Sequence, residues 1–203
     1  METILVLTHA DETGATLTKA SLEAITAGQQ LATGLSAQLT IGIVSSDATH
    51  LSKGLPSARL LAVSGEAIAQ PRYATDAAAC EAICRAAAAT IVLAPSSSRF
   101  ARVSAGVAHR LNGSIDTHIT NLNVAAIGDT ATIEATRWFY RQRIEAVLTR
   151  DARPWFMLLD TGTNEPFAGV MNTTAVEEVK VELHVGRTTV VGIRAPKQDE
   201  QTI

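Results

Sequence analysis

Apolar and polar positions alternate in blocks along the first half of the chain, and the blocks fall into two kinds. Ile4-Leu5-Val6-Leu7, Leu39–Val44, Leu60–Val63 and Ile91-Val92-Leu93 are short, continuous apolar runs rich in branched side chains. Runs too brief for a helix and apolar throughout read as strands buried on both faces. They predict strands at Thr3–Thr8, Leu39–Val44 and Leu60–Val63, and a fourth opening at Ile91, with Pro95 ending it because proline cannot donate to a ladder. Between them the spacing lengthens to that of helices. Leu17, Leu22, Ile25, Gln29 and Leu31 mark one helix ending near Gly34, and Tyr73–Ala89 is an alanine-rich second. Phe100, Val103, Val107 and Leu111 give a third one apolar face, with Ser96, Ser97 and Ser98 as caps and Asn112-Gly113 as its end. Strands separated by helices imply a parallel sheet with right-handed crossovers.

From Ile115 onward the period shortens. Asn121–Ile127, Glu134–Arg143, Glu145–Thr149 and Trp155–Asp160 read as strands, with turns at Gly128-Asp129 and Asp151-Ala152-Arg153-Pro154. Val179, Val181, Leu183 and Val185 alternate with polar residues, and Thr188–Ile193 follows across Gly186-Arg187, which predicts a hairpin. The fold class is therefore α/β. The expected form is a Rossmann-like three-layer domain with a mainly parallel sheet and a β-rich C-terminal half containing antiparallel hairpins. Residues 1–195 form the expected domain and 196–203 a polar tail.

Composition narrows the function classes. With 46% hydrophobic and only 4% aromatic residues, the core is built from Ala, Val, Leu and Ile. A net charge of −3 provides no basic footprint for nucleic acid. No apolar run approaches the roughly 20 residues that cross a bilayer, and Met1-Glu2-Thr3 leads directly into the first strand. A cytoplasmic location without membrane partners is expected. Cys80 and Cys84 lie one helical turn apart, and packing against the sheet explains them better than half of a metal site. His50, His109, His118 and His184 lack metal-ligand spacing, so no metal is assigned.

Three groups carry candidate chemistry. Ser96, Ser97 and Ser98 open a helix, where hydroxyls, backbone N–H groups and the helix dipole suit a phosphate, and Arg99 or Arg102 adds a cation. Helix capping with solvated arginines is the alternative. His9 ends the first strand beside Thr8, Asp11 and Glu12, an arrangement open to acid–base work or to simple capping. No nucleophile, histidine and acid converge, so no catalytic residue is assigned. Arg137-Trp138-Phe139-Tyr140-Arg141-Gln142-Arg143 concentrates cations and aromatics in one expected strand. Alternation would place Arg137, Phe139, Arg141 and Arg143 on one face and Trp138, Tyr140 and Ile144 on the other. A partner interface through Arg137, Tyr140, Arg141 and Arg143 is preferred to base stacking on this acidic chain.

The order of these pieces resembles the N-terminal domain of the electron-transfer flavoprotein alpha subunit. The likeness runs through ILVLTHAD, IVLAPSSS, the helix ending Val107-Ala108-His109-Arg110-Leu111, Ser114-Ile115-Asp116, Arg137 with Tyr140, Arg153-Pro154 and VEEVKVEL. The resemblance implies a domain related to adenine-nucleotide-binding folds that pairs with a beta-like subunit and with a C-terminal flavin-binding domain, which these 203 residues lack. It differs from the family pattern at Ala105-Gly106, where Pro-Arg is usual, at Arg141-Gln142-Arg143, where Ala-Gly-Asn is usual, and at Asp160, where arginine is usual. The expected role is a non-catalytic subunit supporting FAD-dependent electron transfer, with FAD held only where another domain or partner completes the site. Thr8, His9, Ser96, Ser97, Ser98, Arg99 and Arg102 are the expected cofactor-facing residues. The alternatives are a stand-alone domain binding AMP or another adenine nucleotide, similar to universal-stress-type domains, and a ligand-free homo-oligomer.

Overall fold

The structure, a computed structural model, describes residues 2–127, 130–169 and 174–192. In chain order the elements are β1 (Thr3–His9), α1 (Lys19–Leu35), β2 (Gln38–Val44), α2 (Ala48–Leu51), β3 (Arg59–Val63), α3 (Glu66–Ala69) and α4 (Tyr73–Ala87). They continue with β4 (Ile91–Pro95), α5 (Ser98–Arg110), β5 (Ser114–Ile127), β6 (Thr130–Phe139), β7 (Ile144–Leu148), β8 (Trp155–Leu159) and β9 (Val176–Glu178). The strands form one sheet in the order β7-β6-β5-β8-β4-β1-β2-β3-β9. All pairings from β5 through β8, β4, β1, β2 and β3 to β9 are parallel, while β5–β6 and β6–β7 are antiparallel. This is an α/β, Rossmann-like fold with an antiparallel extension on one side. Among the described residues no helix is long and apolar enough to cross a membrane.

Successive strand residues face opposite layers, and the core divides accordingly. Ile4, Val6, Ile41 and Ile43 pack with Ile25 and Leu31 of α1. Leu5, Leu7 and Val92 pack with Cys80 and Ile83 of α4 and Phe100, Val103 and Val107 of α5. Each such side chain contributes about 1.5–3 kcal/mol on burial. Gly28 lets α1 lie against β1, since a Cβ there would sit 2.3 Å from Val6 Cγ2. Thr18 caps α1 by accepting from the Ser21 N–H at 3.1 Å. Cys80 and Cys84 lie inside the second cluster, where burial raises both thiol pKa values.

The structure departs from the sequence reading at several elements, and β5 begins at Ser114, seven residues before the expected Asn121. The strand expected over Glu134–Arg143 ends at Phe139, because Tyr140, Arg141 and Gln142 adopt left-handed backbone angles (φ 47°, 55° and 64°). They form a reverse turn closed by the Arg143 N–H donating to the Phe139 carbonyl at 3.1 Å. Arg141 and Arg143 therefore sit on a hairpin tip instead of sharing a strand face with Arg137 and Phe139. The hairpin expected across Gly186-Arg187 does not form among the described residues, although the turn itself does. Val179, Val181 and Leu183 satisfy their alternation by packing against the α4–α5 layer, and only Val176–Glu178 joins the sheet, beside β3. The short helices α2 and α3 carried too little periodicity to be read. The expected turn at Gly128-Asp129, residue Ile193 and the tail lie outside the described residues.

Candidate functional site

The chain leaves β1 toward β2 and β3 on one side, then returns to β4, β8 and β5 on the other. The carboxyl ends of β1 and β4 therefore meet at the point where the winding reverses, the usual position of a ligand crevice in such sheets. Two adjoining clefts open there, of about 350 Å³ and about 210 Å³. They share Ala10, Asp11, Glu12, Ala69, Gln70 and Arg99. A separate groove of about 270 Å³ between α1 and β5 is lined by no titratable side chain.

His9 and Ser97 bridge the reversal point. His9 Nε2 lies 2.9 Å from Ser97 Oγ, and His9 Nδ1 lies 2.7 Å from the Ala10 carbonyl. A carbonyl only accepts, so Nδ1 carries the proton and Nε2 accepts from the serine hydroxyl. Burial lowers the imidazole pKa, opposed by the Ala10 hydrogen bond and assisted by the nearby Arg99 charge. His9 is thus neutral at pH 7. Its ring also meets Phe100 edge-on, with centroids 5.1 Å apart. Ser97 in turn caps α5 by accepting from the Phe100 N–H at 3.5 Å.

Arg99 is only 8% exposed and is held on three sides. Its guanidinium donates to both Asp76 oxygens, at 2.6 and 3.1 Å, and to the Ile68 carbonyl at 2.7 Å. Burial raises the Asp76 carboxyl pKa, and the Arg99 bonds oppose that shift without cancelling it. The pair ties α3, α4 and α5 together beneath the cleft.

The structure thus distributes the expected cofactor-facing residues unequally. Thr8 is fully buried, with its hydroxyl donating to the Gly42 carbonyl at 3.0 Å. The Ser96 N–H donates to the Leu159 carbonyl at 2.8 Å. His9 and Ser97 bond each other, while Arg99 beside them bonds Asp76 of α4 and the Ile68 carbonyl of α3. Ser98 and Arg102 are exposed, and the Arg102 guanidinium lies 3.5 Å from the Pro71 carbonyl and 3.4 Å from the Ser98 carbonyl. Asp76, its α4 partner role and the carbonyl of Ile68 were missed by sequence reasoning. The available signal was a carboxylate one turn before Cys80, on the apolar side of α4.

A second buried polar cluster anchors the antiparallel extension. Asp116 accepts from Arg150 at 2.9 Å through both its oxygens and from Trp155 Nε1 at 2.9 Å, with Arg137 at 3.9 Å. Burial acts to raise the Asp116 pKa, but the Arg150 and Trp155 bonds and the two cationic charges hold it below the ordinary range. Arg137 also stacks over Phe139 at 4.2 Å. Of the expected interface residues, Arg137 therefore has an internal role. Tyr140, Arg141 and Arg143 project at the hairpin tip.

A flavin dinucleotide does not fit this crevice. Such a ligand needs a glycine-rich first turn that lets backbone approach the pyrophosphate. Here the turn after β1, residues 10–18, carries one glycine, Gly14, behind Ala10-Asp11-Glu12-Thr13, and the turn after β4 carries three serines and no glycine. Arg99 and His9 line the larger cleft at the strand ends.

No curated protein matches the chain. The family model described as the electron transfer flavoprotein domain matches residues 6–184, nearly the whole of the parallel sheet and its antiparallel extension. The chain belongs to the electron transfer flavoprotein domain family.

Proposed function

We propose that this chain is an alpha-type electron-transfer flavoprotein subunit or domain that scaffolds FAD-dependent electron transfer, with FAD held by another domain or by a beta-like partner. The observation that carries this reading is the internal bonding of the buried polar groups at the reversal point. Family membership places the chain among flavoprotein domains, while Arg99, Asp76, His9 and Ser97 spend their polar groups on one another. FAD, when bound elsewhere in the assembly, supplies the redox chemistry. This chain's residues supply a rigid surface that orients and shields it. The partner-facing surface in this reading is the hairpin tip bearing Tyr140, Arg141 and Arg143.

Flavin fluorescence tests the proposal. The chain alone should leave FAD fluorescence unquenched, and addition of a beta-like subunit with the flavin-binding domain should quench it in a stable complex. An equally well quenched complex formed without this chain would end the scaffold reading. A second reading, an AMP-type nucleotide in the larger cleft, is favoured by exposed Ser98 in its lining and by exposed Arg102, whose guanidinium reaches the carbonyl of Pro71 of that lining at 3.5 Å. Calorimetry with AMP separates the two: binding weakened by Arg102→Glu would support the nucleotide, and no heat would remove it.

A further inference from the structure

The two margins of the sheet are finished differently. At the β3 margin the chain lays down β9 and locks it, with Arg59 bonded to both Glu177 oxygens and the Ser64 hydroxyl donating to Glu178 at 2.7 Å. At the other margin β7 pairs with β6 alone among the described residues. Such an edge presents unpaired backbone N–H and C=O groups, and lysine or proline commonly guards it. Ile144-Glu145-Ala146-Val147-Leu148 contains neither.

The order of side chains along this edge is symmetric about its middle. Trp138 lies opposite Glu145 and Thr136 opposite Val147, so Glu145 and Val147 share the Trp138 face, while Ile144, Ala146 and Leu148 share the other. Steps of two residues continue the first face to Arg143 at one end and through Thr149 to Asp151 at the other. Arg143 and Asp151 are both exposed, and neither makes an ion pair among the described residues, whereas Arg150 between them in sequence is bound to Asp116. The edge thus runs from a free cation to a free carboxylate. Val147, apolar and 57% exposed, stands midway between them.

We propose that β7 pairs with β7 of a second copy of this chain, antiparallel and about a two-fold axis at Val147, so that two sheets join into one. A two-fold interface must be self-complementary, and this register makes the edge so. Val147 meets Val147, Glu145 meets Thr149, and Arg143 meets Asp151 of the second copy, twice over. On the other face Ala146 meets Leu148, and Ile144 meets the aliphatic stem of Arg150. A perpendicular two-fold keeps each face on its own side, so only registers centred on a residue are open. Centring on Glu145 sets that carboxylate against itself, and centring on Ala146 sets it against Val147. Centring on Leu148 opposes Glu145 to Asp151, and centring on Ile144 would need the left-handed residues 140–142 to pair as a strand. Parallel pairing aligns every charge with its own copy, a repulsive arrangement. The inference goes beyond the scaffold reading and requires neither flavin nor a beta-like subunit. It engages Arg143 and leaves Tyr140 and Arg141 at the tip for such a partner.

Sedimentation of the full chain alone, at about 100 μM where even a small interface associates, should give twice the chain mass. Arg143→Glu and Asp151→Arg each set like charges against one another and should each weaken self-association on the order of tenfold or more. Mixing the two variants places glutamate against arginine at one end and Asp151 against Arg143 at the other, so the mixture should regain the dimer. Val147→Cys fixes the register. Directly opposed residues of an antiparallel pair have Cα atoms about 4.5–5.5 Å apart, within disulfide reach, so this variant should cross-link to a dimer under mild oxidation while Ala146→Cys does not. A native chain that stays monomeric, variants that dimerise as well as the native chain, a mixture that stays monomeric, or cross-linking through Ala146→Cys in place of Val147→Cys would each overturn the proposal. Neither flavin nor a flavoprotein partner enters these measurements, so their failure leaves the scaffold reading standing on its own test.

Discussion

Arg99 shows how one side chain sets the character of the reversal point. Read along the sequence, it follows three serines at a helix start and suits an anion. In three dimensions Asp76 has claimed it, with two bonds and less than a tenth of the arginine exposed. Arg99→Ala would leave the Asp76 carboxylate buried without its partner, at a cost of about 3–5 kcal/mol. Urea unfolding measures it, and a cost below 1 kcal/mol would mean that the pair does not hold α4 and α5 together. His9 gives a pH dependence with a definite sign. Its folded pKa lies below the unfolded value of about 6.5, so the unfolded chain binds the extra proton. The His9 contribution is complete above about pH 6.5 and is lost as pH falls from there through the folded pKa. Urea midpoints at pH 7.5 and 5.5 should differ more for the native chain than for His9→Asn. Equal slopes would contradict a buried neutral imidazole.

At the scale of elements, the parallel half was legible because its strands are buried on both faces and therefore apolar throughout. β1, β2, β3 and β4 each start and end within one residue of the expected positions where both ends were expected. The antiparallel half was less legible at its ends. Arg-Trp-Phe-Tyr-Arg-Gln-Arg alternates well enough to continue a strand, and nothing in Tyr140-Arg141-Gln142 announces three left-handed residues. Glycine or asparagine would normally mark such a turn. That backbone costs about 1–2 kcal/mol per non-glycine residue, so Gln142→Gly should raise the thermal midpoint by a few degrees. A lowered midpoint would show that the Gln142 side chain supports the turn. The segment from Val176 onward misled for a different reason: alternation reports a half-buried surface, and packing against α4 and α5 produced it with only β9 joining the sheet. Where α5 meets β5, Gly113 is required by close approach. A Cβ there would lie 2.2 Å from the Pro154 carbonyl oxygen. Gly113→Ala should cost about 1–3 kcal/mol by overpacking, read from the urea midpoint, and a neutral effect would mean that the Arg153-Pro154 loop shifts freely.

For the whole molecule, the sheet separates two tasks. Its centre is an internally bonded reversal point lined by two clefts, and its β6–β7 margin carries exposed Trp138 and Tyr140 and, among the described residues, arginines without a carboxylate partner. Of the candidate site, the location at the ends of β1 and β4 was legible in the chain order alone. The partners of Arg99 and His9 were not, because Asp76 lies 23 residues from Arg99 and Ser97 lies 88 from His9. Such pairs are set by how the helices pack over the sheet, which local patterns do not encode. The same division explains why the family's fold persists here while the crevice does not suit a dinucleotide. It also places the Asp116–Arg150–Trp155 cluster as the joint between core and extension. The most direct test is equilibrium FAD binding followed by flavin fluorescence, for the purified chain alone and for the chain mixed with a beta-like subunit and flavin-binding domain. The account predicts no quenching by the chain alone and quenching, with a defined complex mass, in the mixture. Stoichiometric FAD bound by the chain alone would contradict it.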